Sequence, residues 1–167
     1  MLIIFGGLPG SGKSTIASRL ASQLNTVYVR IDSIETAIQN SSLNVQHDHE
    51  AGYLVAYKIA KDNLNLGNTV IADSVNPIEI SRKSWRNVAL QEKKEYLEIE
   101  IFCSDKKEHK QRIEKRNSDI HDDTPQTIWE EIMQYDYEVW HTPELKFDTF
   151  KTDTETCIVE ILKKINT

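Results

Sequence analysis

Short apolar runs alternate with longer amphipathic stretches along this chain. Leu2-Ile3-Ile4-Phe5 is an apolar run stopped by Gly6-Gly7, the pattern of a buried strand. Ile16, Ala17, Leu20, Ala21 and Leu24 then recur at helical spacing. Thr26–Ile31 is β-branched and aromatic enough for a second strand, followed by helices over Ser33–Gln39 and Leu54–Leu66. Gly67-Asn68 stops the latter, and Thr69–Ala72 is a third strand ending at Asp73. Asn76-Pro77-Ile78-Glu79 has the form of a helix start, with Asn76 as cap, and that helix reaches about Gln91. Tyr96–Cys103 reads as a fourth strand and Lys106–Arg116 as a charged helix. Thr124-Pro125 opens a further helix with Ile128, Ile132, Met133 and Val139 on one side. Phe147–Phe150 is a short fifth strand, and Thr152-Asp153-Thr154-Glu155 is a capping box for the last helix. The polar stretches Ser41–Gly52 and Asn117–Asp123 are expected to be loops.

Strand–helix alternation of this kind predicts an α/β fold, a parallel sheet with helices on both faces. The 167 residues suit a single domain spanning 1–167 with its own core. The formal net charge of -6 argues against a general nucleic-acid binder. Cys103 and Cys157 are too few for a disulfide framework and read as reduced core residues of a cytoplasmic protein. No apolar run approaches the roughly 18 residues of a membrane span. Met1–Phe5 lacks the basic start of a secretory leader. Trp85, Trp129 and Trp140 are assigned to helical packing faces in the core.

Gly7-Leu8-Pro9-Gly10-Ser11-Gly12-Lys13-Ser14 matches the P-loop pattern at every specified position, between a predicted strand and a predicted helix. Glycines let the backbone curl so that successive N–H groups point at a phosphate chain, and the following helix adds the positive end of its dipole. The residues expected to hold the nucleotide are Leu8, Pro9, Gly10, Ser11, Gly12, Lys13, Ser14 and Thr15. Lys13 places charge on the β- and γ-phosphates, and Ser14 offers a hydroxyl to Mg²⁺.

Several residues beyond the motif are candidates. Asp32 follows the second strand, where ligands of open parallel sheets sit. It reads either as the group that accepts or orients an acceptor proton or as a helix N-cap, with Glu35 three residues on. Asp73 reads either as part of a Mg²⁺ shell or as a turn residue. Arg112 and Arg116 share a helix face and either close over a triphosphate or belong to a solvated helix, with Glu108 at ion-pair spacing. Arg30, Tyr53 and Asn76 join Asp32 as acceptor-side candidates, and Arg82 and Arg86 read either as contacts to an anionic acceptor or, by the usual exposure of arginine, as surface charges. Gln46-His47-Asp48-His49-Glu50 mixes ligand types without a closed set and reads as a polar acceptor-binding loop.

The P-loop, the Asp32 position, Val70–Asn76 and the Arg112/Arg116 pair, in this order, resemble the small P-loop kinases of the AAA_33 type. The chain is similar, more loosely, to the kinase domain of phage polynucleotide kinase, and beyond that to zeta toxins and to adenylylsulfate, gluconate and shikimate kinases. The resemblance implies a three-layer P-loop fold with a five-stranded parallel sheet of the mononucleotide kinase-like type. It implies a lid over about residues 112–126, ATP with Mg²⁺ as cofactors, Asp32 as general base, Asp73 near metal and acceptor, and Arg112 and Arg116 as lid arginines. Lys151–Asp153 resembles an adenine-side loop. The neutral-to-acidic stretch Asn44–Glu50 departs from the basic acceptor tunnel of polynucleotide kinases and favours a small hydroxylated acceptor. Three activities therefore stand as expectations: a small-molecule kinase, a polynucleotide 5′-hydroxyl kinase, and a nucleotide-binding regulator or toxin-like module.

Overall fold

A computed structural model describes residues 1–42, 48–119 and 128–166, and the side chains of all these except 48–49 and 116–119. Along the chain come β1 (Leu2–Gly6), α1 (Lys13–Leu24), β2 (Val27–Arg30), α2 (Ile31–Gln39), α3 (Asp48–Asn65) and β3 (Val70–Asp73). They are followed by α4 (Glu79–Gln91), β4 (Tyr96–Phe102), α5 (Lys106–Asp119), α6 (Trp129–Met133), β5 (Leu145–Asp148) and α7 (Thr154–Ile165).

The five strands form one parallel sheet in the order β2-β3-β1-β4-β5. Central β1 is shielded from solvent on both faces, which is why it reads as an unbroken apolar run rather than an alternation. Ile3 and Phe5 pack with Ile16 and Leu20 of α1 and with Cys157 and Ile161 of α7. Leu2 and Ile4 pack on the other face with Ala56, Ala60 and Leu64 of α3 and with Trp85 of α4. The expected three-layer α/β/α architecture is what the chain adopts. Among the described residues no helix is long and apolar enough to cross a membrane.

Several local expectations need correction. Helix α3 takes in Asp48–Gly52, part of the stretch expected to be a loop. Its buried positions Gly52, Ala56, Ala60 and Leu64 are mostly small, so the inward face carries little apolar signal, while Leu54, Val55 and Ile59 point outward. Helix α2 begins at Ile31, so Asp32 lies in its first turn rather than at the cap. Helix α4 begins at Glu79, and Asn76 does not cap it. Asn76 has φ 49° and its Nδ2 donates to the carbonyl of Phe5 at 2.9 Å, satisfying the end of β1. Glu138 takes over at α4, accepting from the Glu79 N–H at 2.6 Å. The last helix is capped by Asp153, not Thr152: its carboxylate accepts from the Thr156 N–H at 2.9 Å.

The helix expected to open at Thr124-Pro125 starts outside the described residues, and α6 ends at Met133, leaving Val139 exposed. Residues 137–140 instead form a strap across α4. Arg82, expected at the surface, is fully buried beneath it. Its guanidinium donates to the carbonyls of Asn76, Pro77, Glu138 and Val139 at 2.7–3.2 Å and lies 4.8 Å from the ring centroid of Trp140. Arg86, also expected at the surface, bonds buried Glu98 at 2.8 Å. Trp140 and Trp85 are buried, though Trp140 lies outside any helix, and Trp129 is only half-buried. Cys157 is buried, whereas Cys103 is partly exposed. Strand β5 covers Leu145–Asp148, two residues earlier than its apolar signal placed it.

Candidate active site

The site is built where β1, β2 and β3 end side by side. Register pairs Phe5 with Asp73 and Arg30 with Asp73, so the first residue past β1 faces the ends of both neighbours. Gly7 turns the chain there with φ 145°, and a Cβ on it would lie 2.0 Å from the Ile101 carbonyl. The P-loop then runs into α1, whose N-cap, Gly12, supplies no side chain and leaves the first N–H groups facing the loop's interior. At Gly10 a Cβ would lie 2.6 Å from Ile113, so α5 packs directly on the outside of the loop. His109 of α5 completes that contact, its Nε2 lying 2.7 Å from the Pro9 carbonyl.

Lys13 and Asp73 form the charged centre. Lys13 is 5% exposed and Asp73 1%, with Nζ 3.1 Å from Oδ1. Tyr28 donates its hydroxyl to the other carboxylate oxygen at 2.5 Å. Burial pushes the Asp73 carboxyl upward, but Lys13, Tyr28 and Ser14 outweigh it and hold it below its ordinary range. Burial and the neighbouring carboxylate push the Tyr28 phenol up, so it remains a donor. Arg30 donates from Nη2 to Asp32 at 2.9 Å, and its Nε lies 4.0 Å from Asp73.

A cavity of about 650 Å³ opens over this centre, lined by the P-loop together with Tyr28, Arg30, Asp32, Ser33, Val75 and Arg112. The structure thus brings Leu8–Thr15, Arg30, Asp32 and Arg112 around one space. Arg112 is tied to the loop rather than waving in solvent. It donates to Thr149 Oγ1 at 2.8 Å and to the Thr149 carbonyl at 3.1 Å, while Thr149 Oγ1 donates to the Ser11 carbonyl at 2.7 Å. The Glu108 ion pair is also formed, at 2.9 Å. Arg112 further lines a neighbouring cavity of about 360 Å³ with Thr149, Thr152, Asp153 and Thr154. Tyr53 and Asn76 sit behind the large cavity, not in its lining: the Asn76 N–H donates to the Tyr53 hydroxyl at 3.2 Å. The Arg116 side chain, residues 120–126 of the lid expected over 112–126, and most of the Asn44–Glu50 stretch (residues 44–47, and the side chains of 48–49) lie outside the described residues.

Among the described residues no cluster of three or more metal-ligating side chains exists. Ser14 lines the cavity and Asp73 is buried beside it, two oxygen donors that suit Mg²⁺ brought on a nucleotide rather than caged by protein.

A family model described as an AAA domain, AAA_33, matches residues 2–137. The chain belongs to the AAA_33 family. A curated adenylyl-sulfate kinase from Prochlorococcus marinus is 28% identical over 177 aligned positions, covering 99% of this chain and 83% of that one. Among solved structures, a putative kinase from Chloroflexus aurantiacus superposes with a TM-score of 0.77 at 18% identity, covering 99% and 95% of the two chains. The Mycobacterium tuberculosis APS kinase in complex with AMPPNP and APS gives 0.75 at 16% identity, covering 99% and 97%. At such identities the solved structures speak for the fold alone.

Sequence reasoning missed three residues that this AAA_33 site uses. Tyr28 stands two before Arg30 on β2, so strand alternation put both on one side. Thr149 follows β5 directly, at the same sheet end as Asp73. His109 stands three before Arg112 on α5, hence on its face.

Proposed function

We propose that this domain is a kinase that moves the γ-phosphoryl group of Mg-ATP to a hydroxyl of a small molecule. The observation that carries the reading is the single cavity in which the P-loop, Lys13, Asp32 and Arg112 converge. The P-loop N–H groups and Lys13 receive the β- and γ-phosphates. Ser14 and Asp73 would hold Mg²⁺, which would supply charge neutralisation when bound. The adenine side of the nucleotide lies toward Thr149 and Asp153, in the cavity beyond Arg112. Asp32 takes the proton of the acceptor hydroxyl as its oxygen bonds to phosphorus. The bond from phosphorus to the bridging oxygen breaks and ADP leaves. Arg112 neutralises charge on the phosphoryl group in flight. Free Cys103 and Cys157 fit a cytoplasmic setting for this chemistry.

The test is transfer of label from γ-labelled Mg-ATP across a panel of hydroxylated metabolites and an oligonucleotide. Labelled small acceptor, absent with Lys13→Ala, supports the reading. Label on the oligonucleotide alone, with affinity falling steeply as salt rises, assigns the polynucleotide reading instead. Tight Mg-ATP binding with no label anywhere assigns the regulator.

A further inference from the structure

Helix α5 grips the outside of the P-loop at two peptide groups. His109 Nε2 lies 2.7 Å from the Pro9 carbonyl, and a carbonyl oxygen only accepts, so that nitrogen carries the proton. Two residues on, the Ser11 carbonyl accepts from Thr149 Oγ1 at 2.7 Å, and Arg112 donates to the same hydroxyl at 2.8 Å. Between these two holds the Ser11 N–H is spent inside the loop, on the Leu8 carbonyl at 3.1 Å. His109 stands three residues before Arg112, so one face of α5 carries both holds.

A trans peptide is planar, with its C=O and N–H on opposite edges, and the described chain has no cis peptide. A carbonyl held outward therefore turns the next residue's N–H inward. His109 does this for the Gly10 N–H, and Arg112 with Thr149 does it for the Gly12 N–H. Both glycines have positive φ, 78° and 93°, and without a Cβ their flanking peptides rotate easily unless something outside the loop fixes them. His109 itself stays out of the nucleotide cavity. Pro9 and Gly10 line that cavity, whereas His109 lines a separate one of about 230 Å³ with Gly7, Leu8 and Ser11. Its ring is 6% exposed, and Trp129 of α6 packs on it in a T-shaped arrangement, with centroids 5.2 Å apart.

We infer that His109 is a positioning residue for nucleotide binding: it holds the Pro9 carbonyl outward, so that the Gly10 N–H faces the phosphate chain. The inference rests on the nucleotide reading of the large cavity and adds to it a residue that acts without touching the nucleotide. The amide is aimed before the nucleotide arrives, which removes the cost of ordering it on binding.

The test measures Mg-ATP affinity by calorimetry, and the thermal midpoint without nucleotide, in wild type, His109→Phe and His109→Gln. Phenylalanine keeps a ring against Trp129 but has no donor. Glutamine gives up the ring but keeps an N–H of similar reach. The expected result is a Kd for Mg-ATP raised about tenfold in His109→Phe. The midpoint of that variant stays within about 4 °C of wild type. In His109→Gln the Kd returns to within about threefold of wild type. A purely structural role for the ring predicts the reverse order, with phenylalanine the milder change. Wild-type affinity in His109→Phe, or a glutamine variant as weak as the phenylalanine one, overturns the inference and leaves the kinase reading standing. Should His109→Phe fail to fold, the glutamine variant decides alone: near-wild-type affinity upholds the inference, and a tenfold loss in a folded protein overturns it. No heat with Mg-ATP in wild type overturns the nucleotide reading itself, and the inference with it.

Discussion

The two halves of the cavity are built in different ways. The phosphate half is backbone: Gly7 to Ser14 are contiguous, the curl is forced by glycines, and the charge behind it is the Lys13–Asp73 pair at 3.1 Å. The half proposed to take the acceptor is side chains brought from apart in the chain, with Tyr28 and Arg30 from β2, Asp32 and Ser33 from α2 and Val75 after β3. A polyphosphate needs only a concave row of N–H groups and one cation, which a short contiguous segment can provide. Telling one hydroxylated acceptor from another needs directional groups at several distances, which no short segment holds. In the proposed kinase the phosphate half sets what kind of reaction runs, and the acceptor half sets on what.

Breaking the phosphate half is expected to cost most. Lys13→Ala lowers kcat/KM by about 10³-fold or more, measured by steady-state transfer of label. It also leaves Asp73 buried without its cation, so the thermal midpoint falls as well. Asp32→Asn keeps the side chain's shape and its place on α2. It lowers kcat by about 10²–10⁴-fold, as loss of a proton acceptor does, with Mg-ATP affinity held within about twofold. Loss of Mg-ATP affinity instead would move Asp32 into the phosphate half.

Arg82→Met separates the frame from the chemistry. Four backbone carbonyls lose their donor, and the strap 137–140 loses its tie to the loop at 76–77. Stability falls by about 3 kcal/mol by denaturant titration, with KM for acceptor rising before affinity for Mg-ATP does. Unchanged stability would mean the strap holds without it.

Arg112→Lys keeps the charge and loses the fork that grips Thr149. A loss of about 10–10²-fold in kcat is expected, with no change in fold by circular dichroism.

The smallest effect is on pH. Burial pushes the Asp148 carboxyl up, but the Ser104 and Phe150 N–H groups and Lys151 outweigh it and hold it at about 2. A carboxyl held low in the folded state stabilises above its ordinary value and loses that contribution as pH falls toward the folded value. Stability therefore declines between about pH 4 and pH 2, and Asp148→Asn flattens that part of an acid titration. An identical slope in the variant would contradict the assignment.

How far the sequence was legible follows the same division. β1, the P-loop and α1 carry their signals locally, in an apolar run, spaced glycines and a helical stripe. Asp73 was visible as a carboxylate ending an apolar strand. Arg82 was not, because an arginine on an amphipathic helix looks like a surface charge until the chain returns at 138–139 to present carbonyls to it. α3 was misplaced at its start because its inward residues Gly52, Ala56 and Ala60 are small and its outward residues Leu54, Val55 and Ile59 are apolar.

The most direct measurement follows label transfer and Mg-ATP affinity together in wild type and Asp32→Asn. Retained affinity with transfer lost is what a phosphate half and a separate acceptor half require. Transfer at the wild-type rate in Asp32→Asn would show that the acceptor proton goes elsewhere and would contradict the account.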